Sequence, residues 1–387
     1  MDAKLLVFFF AAYLFAGCNS SDGDLYEFDP VNYSGDEIML SELIDDISFI
    51  PLDTSILIDN INIVIPDHHT YYLNSRTGIL AFDRSGKLIS QLGRFGRGPG
   101  EYIFARNFCI DEKSGSLYNH ADRTKTIQVF SRTGKFLRSF TLNEYPDSFI
   151  NSINFFNNNL FINCFGYDSP YEWIVYDTLG NIVKKQKRHL PEFTYNYSGG
   201  IESYLFENRV TYYNTWSDTV FSVMPDLSEK PALIISPGTH RHPRGNLSVE
   251  QVLEQKYFGF HIFETKRFYV MRYFYDRKYY MAFIDKNGVR DFLNIYEVNE
   301  RAQPVSGIKN DFDGGLWFFP ESYYEENGNE YLIGIQNPHE IIAHAATDEF
   351  KNSNPKDLNK KELYKKLAES LKETDNPVLI LARLKSK

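Results

Sequence analysis

Ile79-Leu80-Ala81-Phe82-Asp83-Arg84-Ser85-Gly86-Lys87-Leu88 returns as Ile127-Gln128-Val129-Phe130-Ser131-Arg132-Thr133-Gly134-Lys135-Phe136. It returns again as Ile174-Val175-Tyr176-Asp177-Thr178-Leu179-Gly180-Asn181-Ile182, which places the glycines 48 and 46 residues apart. A fainter copy is Ala282-Phe283-Ile284-Asp285-Lys286-Asn287-Gly288-Val289. Each copy reads as a strand, a polar turn whose glycine supplies a positive φ, and a second strand. The remainder of each period holds two more strands, seen well in Ile201–Phe206, Arg209–Asn214 and Thr219–Val223 with turns between them. Second strands are expected near Tyr72, Tyr118, Phe161, Tyr212, Val270 and Trp317, at spacings of 46, 43, 51, 58 and 47 residues. Four short antiparallel strands at a period in the forties is the sequence form of a propeller blade. Six second strands predict an all-β fold: a six-bladed β-propeller of four-stranded antiparallel blades.

A propeller has to close its ring. Residues 47–52 (Ile-Ser-Phe-Ile-Pro-Leu) and 377–384 (Pro-Val-Leu-Ile-Leu-Ala-Arg-Leu) are strand-like and lie outside the repeats, so one or both are expected to complete the last blade. Three stretches break the pattern. Residues 248–256 read as a short helix with Ser248 and Gln251 at capping-box spacing. Helical insertions are also expected within about 339–373, where Tyr364, Leu367, Ala368 and Leu371 share one face opposite lysines.

Composition agrees with this reading. The chain has 387 residues, 43% hydrophobic and 24% charged, with 32 Phe and 27 Tyr, a bias toward strands. Its 41 basic and 51 acidic residues give a net charge of −10, which excludes a general nucleic-acid binder. The same numbers exclude collagen-like, disordered and disulfide-scaffold classes. Cys109 and Cys164 sit in apolar stretches and read as small buried hydrophobes.

The amino terminus is an address. Lys4 precedes an apolar run over residues 5–16, too short to span a bilayer, and the run ends in Phe15-Ala16-Gly17-Cys18. A Cys after Ala-Gly resembles the lipobox of bacterial lipoproteins. That resemblance implies cleavage after residue 17 and lipidation of Cys18, with residues 18–37 as a tether and 38–387 as the propeller. Asn19-Ser20-Ser21-Asp22-Gly23-Asp24 is similar to the acidic export signals of surface lipoproteins. The chain is therefore expected as an outer-membrane lipoprotein, facing either periplasm or exterior, with the membrane as partner through its lipid.

Leu92-Gly93-Arg94-Phe95-Gly96-Arg97-Gly98-Pro99-Gly100-Glu101-Tyr102 is the most specific local signature. Together with Leu40-Ser41-Glu42-Leu43, Phe49-Ile50-Pro51-Leu52-Asp53 and Asp375-Asn376-Pro377-Val378-Leu379, it resembles the six-bladed β-propeller lipoproteins of Bacteroidetes, relatives of NHL-repeat propellers. The likeness spans roughly residues 38–387. It implies a fold and an envelope location, and it carries over no catalytic motif.

Candidate site residues come from the loops. Gly93, Gly96, Gly98, Pro99, Gly100 and Glu101 lack the Gly-Lys-Ser/Thr ending of a phosphate cradle and read as a structural turn between blades. Arg94 and Arg97 flank that turn and would present cations at the channel mouth, suited to acidic groups or sugar hydroxyls. His120 and Arg123 follow an inner-type strand, with Asp122 as a turn cap. His240 and His242 stand in the longest inter-blade insertion, expected to overhang the channel, and no nearby carboxylate or Cys completes a metal set with them. Asp311 and Asp313, before Gly314-Gly315, read as a hairpin turn ahead of a Ca²⁺ loop. Trp173, Trp216 and Trp317 are expected in inter-blade core.

The function expected from this reading is a non-catalytic ligand- or protein-binding or scaffolding module, with its ligand at the channel mouth. The alternative is a glycan- or peptide-directed lyase or hydrolase with a metal-bearing site there. No catalytic residue or metal ligand is assigned and no cofactor is called for, with a channel-mouth metal ion left open. Expected partners are a glycan, a peptide or an envelope protein, not nucleic acid, and the chain is expected to be a monomer. A ring of convergent His, Asp and Glu on the inner strands would favour an enzyme; an aromatic or apolar rim would favour binding.

Overall fold

The computed structural model describes residues 25–386, apart from 60, 104, 122–124, 145–149, 151, 165–168, 192, 194–200, 237, 242–243, 249, 252–258 and 302. Six four-stranded antiparallel sheets form the propeller blades. Blade 1 is Ile61–Pro66, Thr70–Ser75, Gly78–Asp83 and Leu88–Leu92; blade 2 is Ala105–Asp111, Ser116–Ala121, Thr126–Phe130 and Phe136–Thr141. Blade 3 is Ser152–Phe156, Asn159–Asn163, Tyr171–Tyr176 and Ile182–Lys187; blade 4 is Ile201–Phe206, Arg209–Asn214, Thr219–Val223 and Glu229–Ile235. Blade 5 is Gly259–Glu264, Phe268–Tyr275, Lys278–Asp285 and Phe292–Tyr296. Blade 6 takes Ser322–Glu326, Asn329–Gln336 and Val378–Leu384, and its outer strand, Ile44–Pro51, comes from the other end of the chain.

Both terminal stretches thus pair in one sheet, in a register that sets Ser48 opposite Leu381 and Pro51 opposite Val378. Upstream, Glu27–Phe28 adds a parallel fifth strand to blade 4 along Ile234 and Ile235. The chain then bridges Asp36 to Phe292 and donates the Ile38 N–H to Asn294 of blade 5 (3.2 Å). The outer edges of blades 4 and 5 are covered in this way before the chain supplies the edge of blade 6. Covered edges leave fewer backbone groups open to pairing with another chain.

The repeated glycines mark the turns between third and fourth strands. Gly86, Gly134, Gly180 and Gly288 have φ of 88°, 82°, 91° and 66°. Their turns are tied by the preceding side chain where it is Asp: Asp83 accepts the Ser85 and Lys87 N–H groups, and Asp177 those of Leu179 and Asn181. Blade 4 makes the same turn with Leu227 at φ 61° and Asp226 holding Ser228. Blade 6 has no such turn, because its third and fourth strands come from opposite ends of the chain. Three of the glycines also meet the neighbouring blade. A Cβ on Gly86 would lie 2.1 Å from the Pro51 carbonyl oxygen, one on Gly134 2.7 Å from that of Gln91, and one on Gly180 2.3 Å from that of Thr141. Each of these carbonyls ends, or lies next to the end of, the outer strand of the preceding blade.

One expected strand is elsewhere. The second strand of blade 6 is Asn329–Gln336, whereas Trp317 belongs to the connection before that blade, where Ile308 and Phe318 make an isolated bridge. The apolar run around Trp317 imitates a strand because Phe318 and Phe319 are buried in the core. The strand that does pair begins on polar residues, after the turn at Asn327 and Gly328. Trp173 and Trp216 are fully buried, and Trp317 is half-buried.

Aromatic side chains fill the inter-blade spaces. Phe161, Trp173 and Tyr212 form one cluster across blades 3 and 4. Full burial of each large apolar side chain stabilises by about 1.5–3 kcal/mol. Cys109 and Cys164 are buried free thiols. Between the second and third strands of blade 6, helices Pro338–Ala346, Asp348–Asn352 and Leu358–Ser370 pack on the rim. Asp357 caps the last by accepting the Asn359 and Lys360 N–H groups, and Tyr364 is buried against Phe49 and Phe350. Ser248 and Gln251 exchange the two capping-box hydrogen bonds (2.8 and 3.2 Å), while most of that expected helix lies outside the described residues.

Asp311 accepts hydrogen bonds from the Ser41 N–H and hydroxyl, tying the turn to the amino-terminal segment. Asp313 is fully buried; one carboxylate oxygen accepts the Gly315 N–H (2.8 Å) and the other has no hydrogen-bond partner among the described residues. Burial pushes its carboxyl up to about 6, a rise the Gly315 N–H only partly offsets. A carboxyl raised on folding stabilises fully below its unfolded value, and the contribution is lost as the pH climbs through the folded one. Ionised Asp313 therefore costs about 3 kcal/mol at neutral pH. Asp313→Asn is expected to be more stable than wild type at pH 8, by about 1–3 kcal/mol, with the gap closing toward pH 4. Denaturant melts across that range test this; a variant less stable than wild type at pH 8 contradicts it.

Candidate functional site

The first strand of each blade faces the axis, and together the six enclose a channel. Its half nearest the inter-blade connectors is a cavity of about 480 Å³. Val64, Ile65, Phe108 and Ile153 form an apolar wall, and Asn107, Ser152, Asn154, Glu202, Ser203, His261, Arg272 and Glu321 supply polar groups. Glu202 is second and His261 third in the first strands of blades 4 and 5, and both line this cavity. His261 Nδ1 contacts a Glu202 carboxylate oxygen that also accepts the Tyr213 hydroxyl (2.9 Å). The Tyr213 hydroxyl is fixed in turn by the Ile262 N–H (3.0 Å). Enclosure in the ring pushes the Glu202 carboxyl up, but His261, the Tyr213 hydroxyl and Arg272 outweigh it and hold the group down at about 2.

Across the cavity Arg272 donates to Glu321 (3.2 Å) and lies over the Phe319 ring at 5.0 Å. The Ser152 and Ser203 hydroxyls pair at 2.6 Å, and Asn154 Nδ2 donates to Ser203 (2.7 Å). The wall is therefore a set of mutually bonded groups whose positions are set before any ligand arrives, the arrangement that lowers the ordering cost of binding. The His261–Glu202 contact is also the orientation in which a carboxylate steers an imidazole general base. Among the described residues, no group of three or more His, Cys, Asp or Glu is arranged to hold a metal ion.

The other half of the channel opens at the hairpins between first and second strands. It is a cavity of about 410 Å³, lined by Phe155, Leu205, Phe206, Tyr323 and Tyr324 together with Glu112, Glu207 and Glu325. Val64, Ile65, Phe108, Ile153, Asn154 and Ser203 line both halves, so the two cavities adjoin. Buried polar groups also link neighbouring blades. Glu264, with no exposed side-chain surface, accepts from Arg209 (2.7 Å), Lys286, Tyr204 (2.9 Å) and Thr211 (3.1 Å). Burial holds the Lys286 ammonium below its usual range, against the pull of Glu264. Between blades 3 and 4, Glu229 accepts from Tyr212, Trp173 and His189, and burial pushes the neighbouring Glu172 carboxyl up to about 7.

The residues singled out from sequence sit away from these cavities. Gly93 and Gly100 have φ of 68° and 75°, and the loop they bound folds around Glu101, which accepts the Gly98 N–H (2.7 Å) and Arg94 Nε (2.9 Å). A Cβ on Gly96 would lie 2.1 Å from the Glu101 carboxylate, and the Tyr102 hydroxyl anchors the loop to Leu92 and Ile79. Pro99 and Arg97 are exposed on the same connector. His120 is buried in the second strand of blade 2, and His240 packs edge-on to the Tyr275 ring at 5.1 Å. Arg94, Arg97, His120 and His240 line neither cavity. Asp122, Arg123, His242, Cys18 and the leader lie outside the described residues.

The channel wall is built instead by Glu202, His261, Arg272 and Glu321, which sequence reasoning passed over. The available signal was a polar side chain near the start of successive first strands, such as Glu202 and His261. The hairpin mouth has the aromatic rim that favours binding, and the inner strands carry one His–Glu pair rather than a ring of convergent His, Asp and Glu. No helix among the described residues is long and apolar enough to cross a membrane.

No curated protein matches the sequence. Among solved structures, a Bacteroides fragilis protein described as exported has 18% identity over 93% of this chain and 99% of its own, with a TM-score of 0.69. A member of the DUF4221 family from Bacteroides vulgatus has 11% identity over 89% of this chain and 98% of its own, with a TM-score of 0.45. Virginiamycin B lyase from Staphylococcus aureus has 12% identity over 70% of this chain and 84% of its own, with a TM-score of 0.39. The first of these shares the propeller fold. Residues 26–383 match the family described as a domain of unknown function (DUF4934), and the chain belongs to that family.

Proposed function

We propose that this chain is an envelope-anchored propeller acting as a non-catalytic recognition or scaffolding module that holds its ligand or partner in the channel. The observation that supports this best is the channel itself. Two adjoining cavities of about 480 and 410 Å³ fall in the size range of small-ligand sites, and the polar wall of the larger is already bonded into place. A glycan, peptidoglycan-fragment and peptide array tests it with two variants. Ser203→Trp puts a bulky ring at one of the residues that line both cavities, and Arg97→Ala alters the connector face. A hit retained by Arg97→Ala and lost by Ser203→Trp, with unchanged melting of the latter, is the expected result. A hit lost by Arg97→Ala and kept by Ser203→Trp moves the site to the connector loop.

The envelope address rests on Lys4, the apolar run and Cys18. Acyl labelling of wild type and not of Cys18→Ala is expected in a bacterial host; equal labelling of both rejects lipidation at Cys18. A lyase or hydrolase is the second reading, favoured by the His261–Glu202 contact on the cavity wall. Product formation from an array hit, abolished in His261→Gln while binding survives, would select it over the first.

A further inference from the structure

We infer that the hairpin mouth of the channel takes a cationic group on an apolar stem, such as a lysine or arginine side chain of an extended peptide. The inference rests on the channel being the recognition site and names the chemistry it recognises. Among the described residues lining the hairpin-end cavity, the charged ones are Glu112, Glu207 and Glu325, and none is basic. Phe155, Leu205 and Tyr323 give the same wall apolar surface, and Leu205 is 43% exposed. An apolar stem with a cationic tip matches both properties together, whereas an anion would meet three carboxylates.

The mouth's own cations leave negative charge over. Glu207 and buried Glu264 share Arg209 (3.0 and 2.7 Å) and are balanced by it and Lys286, so the surplus comes from the other carboxylates. Glu325 pairs with Lys266 (2.7 Å), whose backbone N–H is held by a further carboxylate, Glu330. Arg84 is taken up by Glu326 (2.9 Å), and the cationic contact of Glu112 within 4.0 Å among the described residues is His68. The side chains of Glu112 and Glu207 remain more than half exposed, at 56% and 53%. Rings at this mouth already seat cations: Arg84 lies 5.1 Å from the Tyr324 centroid and Lys286 4.2 Å from that of Phe206.

Calorimetric titration of the folded protein with trilysine, trinorleucine and triglutamate tests the assignment. Trilysine is expected to bind, triglutamate not to, and Glu112→Gln/Glu207→Gln/Glu325→Gln together should weaken trilysine by roughly tenfold or more. If the triple variant does not fold, Glu112→Gln alone, at the most open pair, should still show a several-fold loss. Arg97→Ala should leave binding unchanged. Trilysine bound equally by wild type and the carboxamide variants reflects only the general pull of a chain of net charge −10, and overturns the inference. Trilysine inert while an uncharged glycan binds and is blocked by Ser203→Trp overturns it too, leaving the recognition reading in place. If Ser203→Trp blocks no ligand of any class, both fall.

Discussion

Gly86→Ala is expected to destabilise the propeller by about 3–5 kcal/mol, several times the effect of Gly288→Ala. Both glycines have a positive φ, 88° and 66°, so an alanine pays about 1–2 kcal/mol at either position for a left-handed backbone. The difference lies in what a Cβ meets. At Gly86 it would sit 2.1 Å from the Pro51 carbonyl oxygen, and at Gly288 nothing lies within 4 Å. Relief at Gly86 requires moving the end of blade 6's outer strand, the strand that closes the ring, and the Asp53 N–H would lose its bond to the Gly86 carbonyl (2.8 Å). Denaturant midpoints of the two variants give the comparison. Equal losses would mean that contact between blades 6 and 1 adds nothing to the turn's own requirement.

Glu264→Ala is expected to cost about 3–5 kcal/mol, because it strips the shared counter-charge from Arg209 and Lys286 between blades 4 and 5. Burial already holds the Lys286 ammonium low, so without Glu264 it should lose its proton more readily still. Lys266→Ala is the surface comparison. Its 2.7 Å pair with Glu325 is more than a third exposed on both sides, and its loss should cost less than about 1 kcal/mol. A Glu264→Ala variant that melts within about 1 kcal/mol of wild type would show that water reaches the cluster.

The fold was legible because a blade is a local object. The Asp83-to-Gly86 turn and its copies need a polar side chain and a positive φ at fixed spacing, and that requirement survives in the letters of the chain. Blade 6 was harder: its second strand was assigned to Trp317, where burial of Phe318 and Phe319 imitates strand periodicity without ladder pairing. The two-residue strand Glu27–Phe28 left no periodic trace at all, since it exists only through its pairing with Ile234 and Ile235.

The site was less legible for a physical reason. Glu202 and His261 belong to different blades, and Tyr213, which fixes them, lies in a second strand of one of them. Only closure of the ring brings such groups to one wall. Arg94, conspicuous in sequence, is held by Glu101 seven residues on, within its own loop. A charge satisfied inside a connector and a charge facing a cavity look alike in a sequence.

A crystal structure of the protein bound to its best array ligand tests most directly whether function resides in the channel. The expected result is ligand density within about 4 Å of Ser203 and of at least one of His261, Arg272 or Tyr323. Density on the Gly93-to-Glu101 connector or beside His240, with the channel empty, would contradict it.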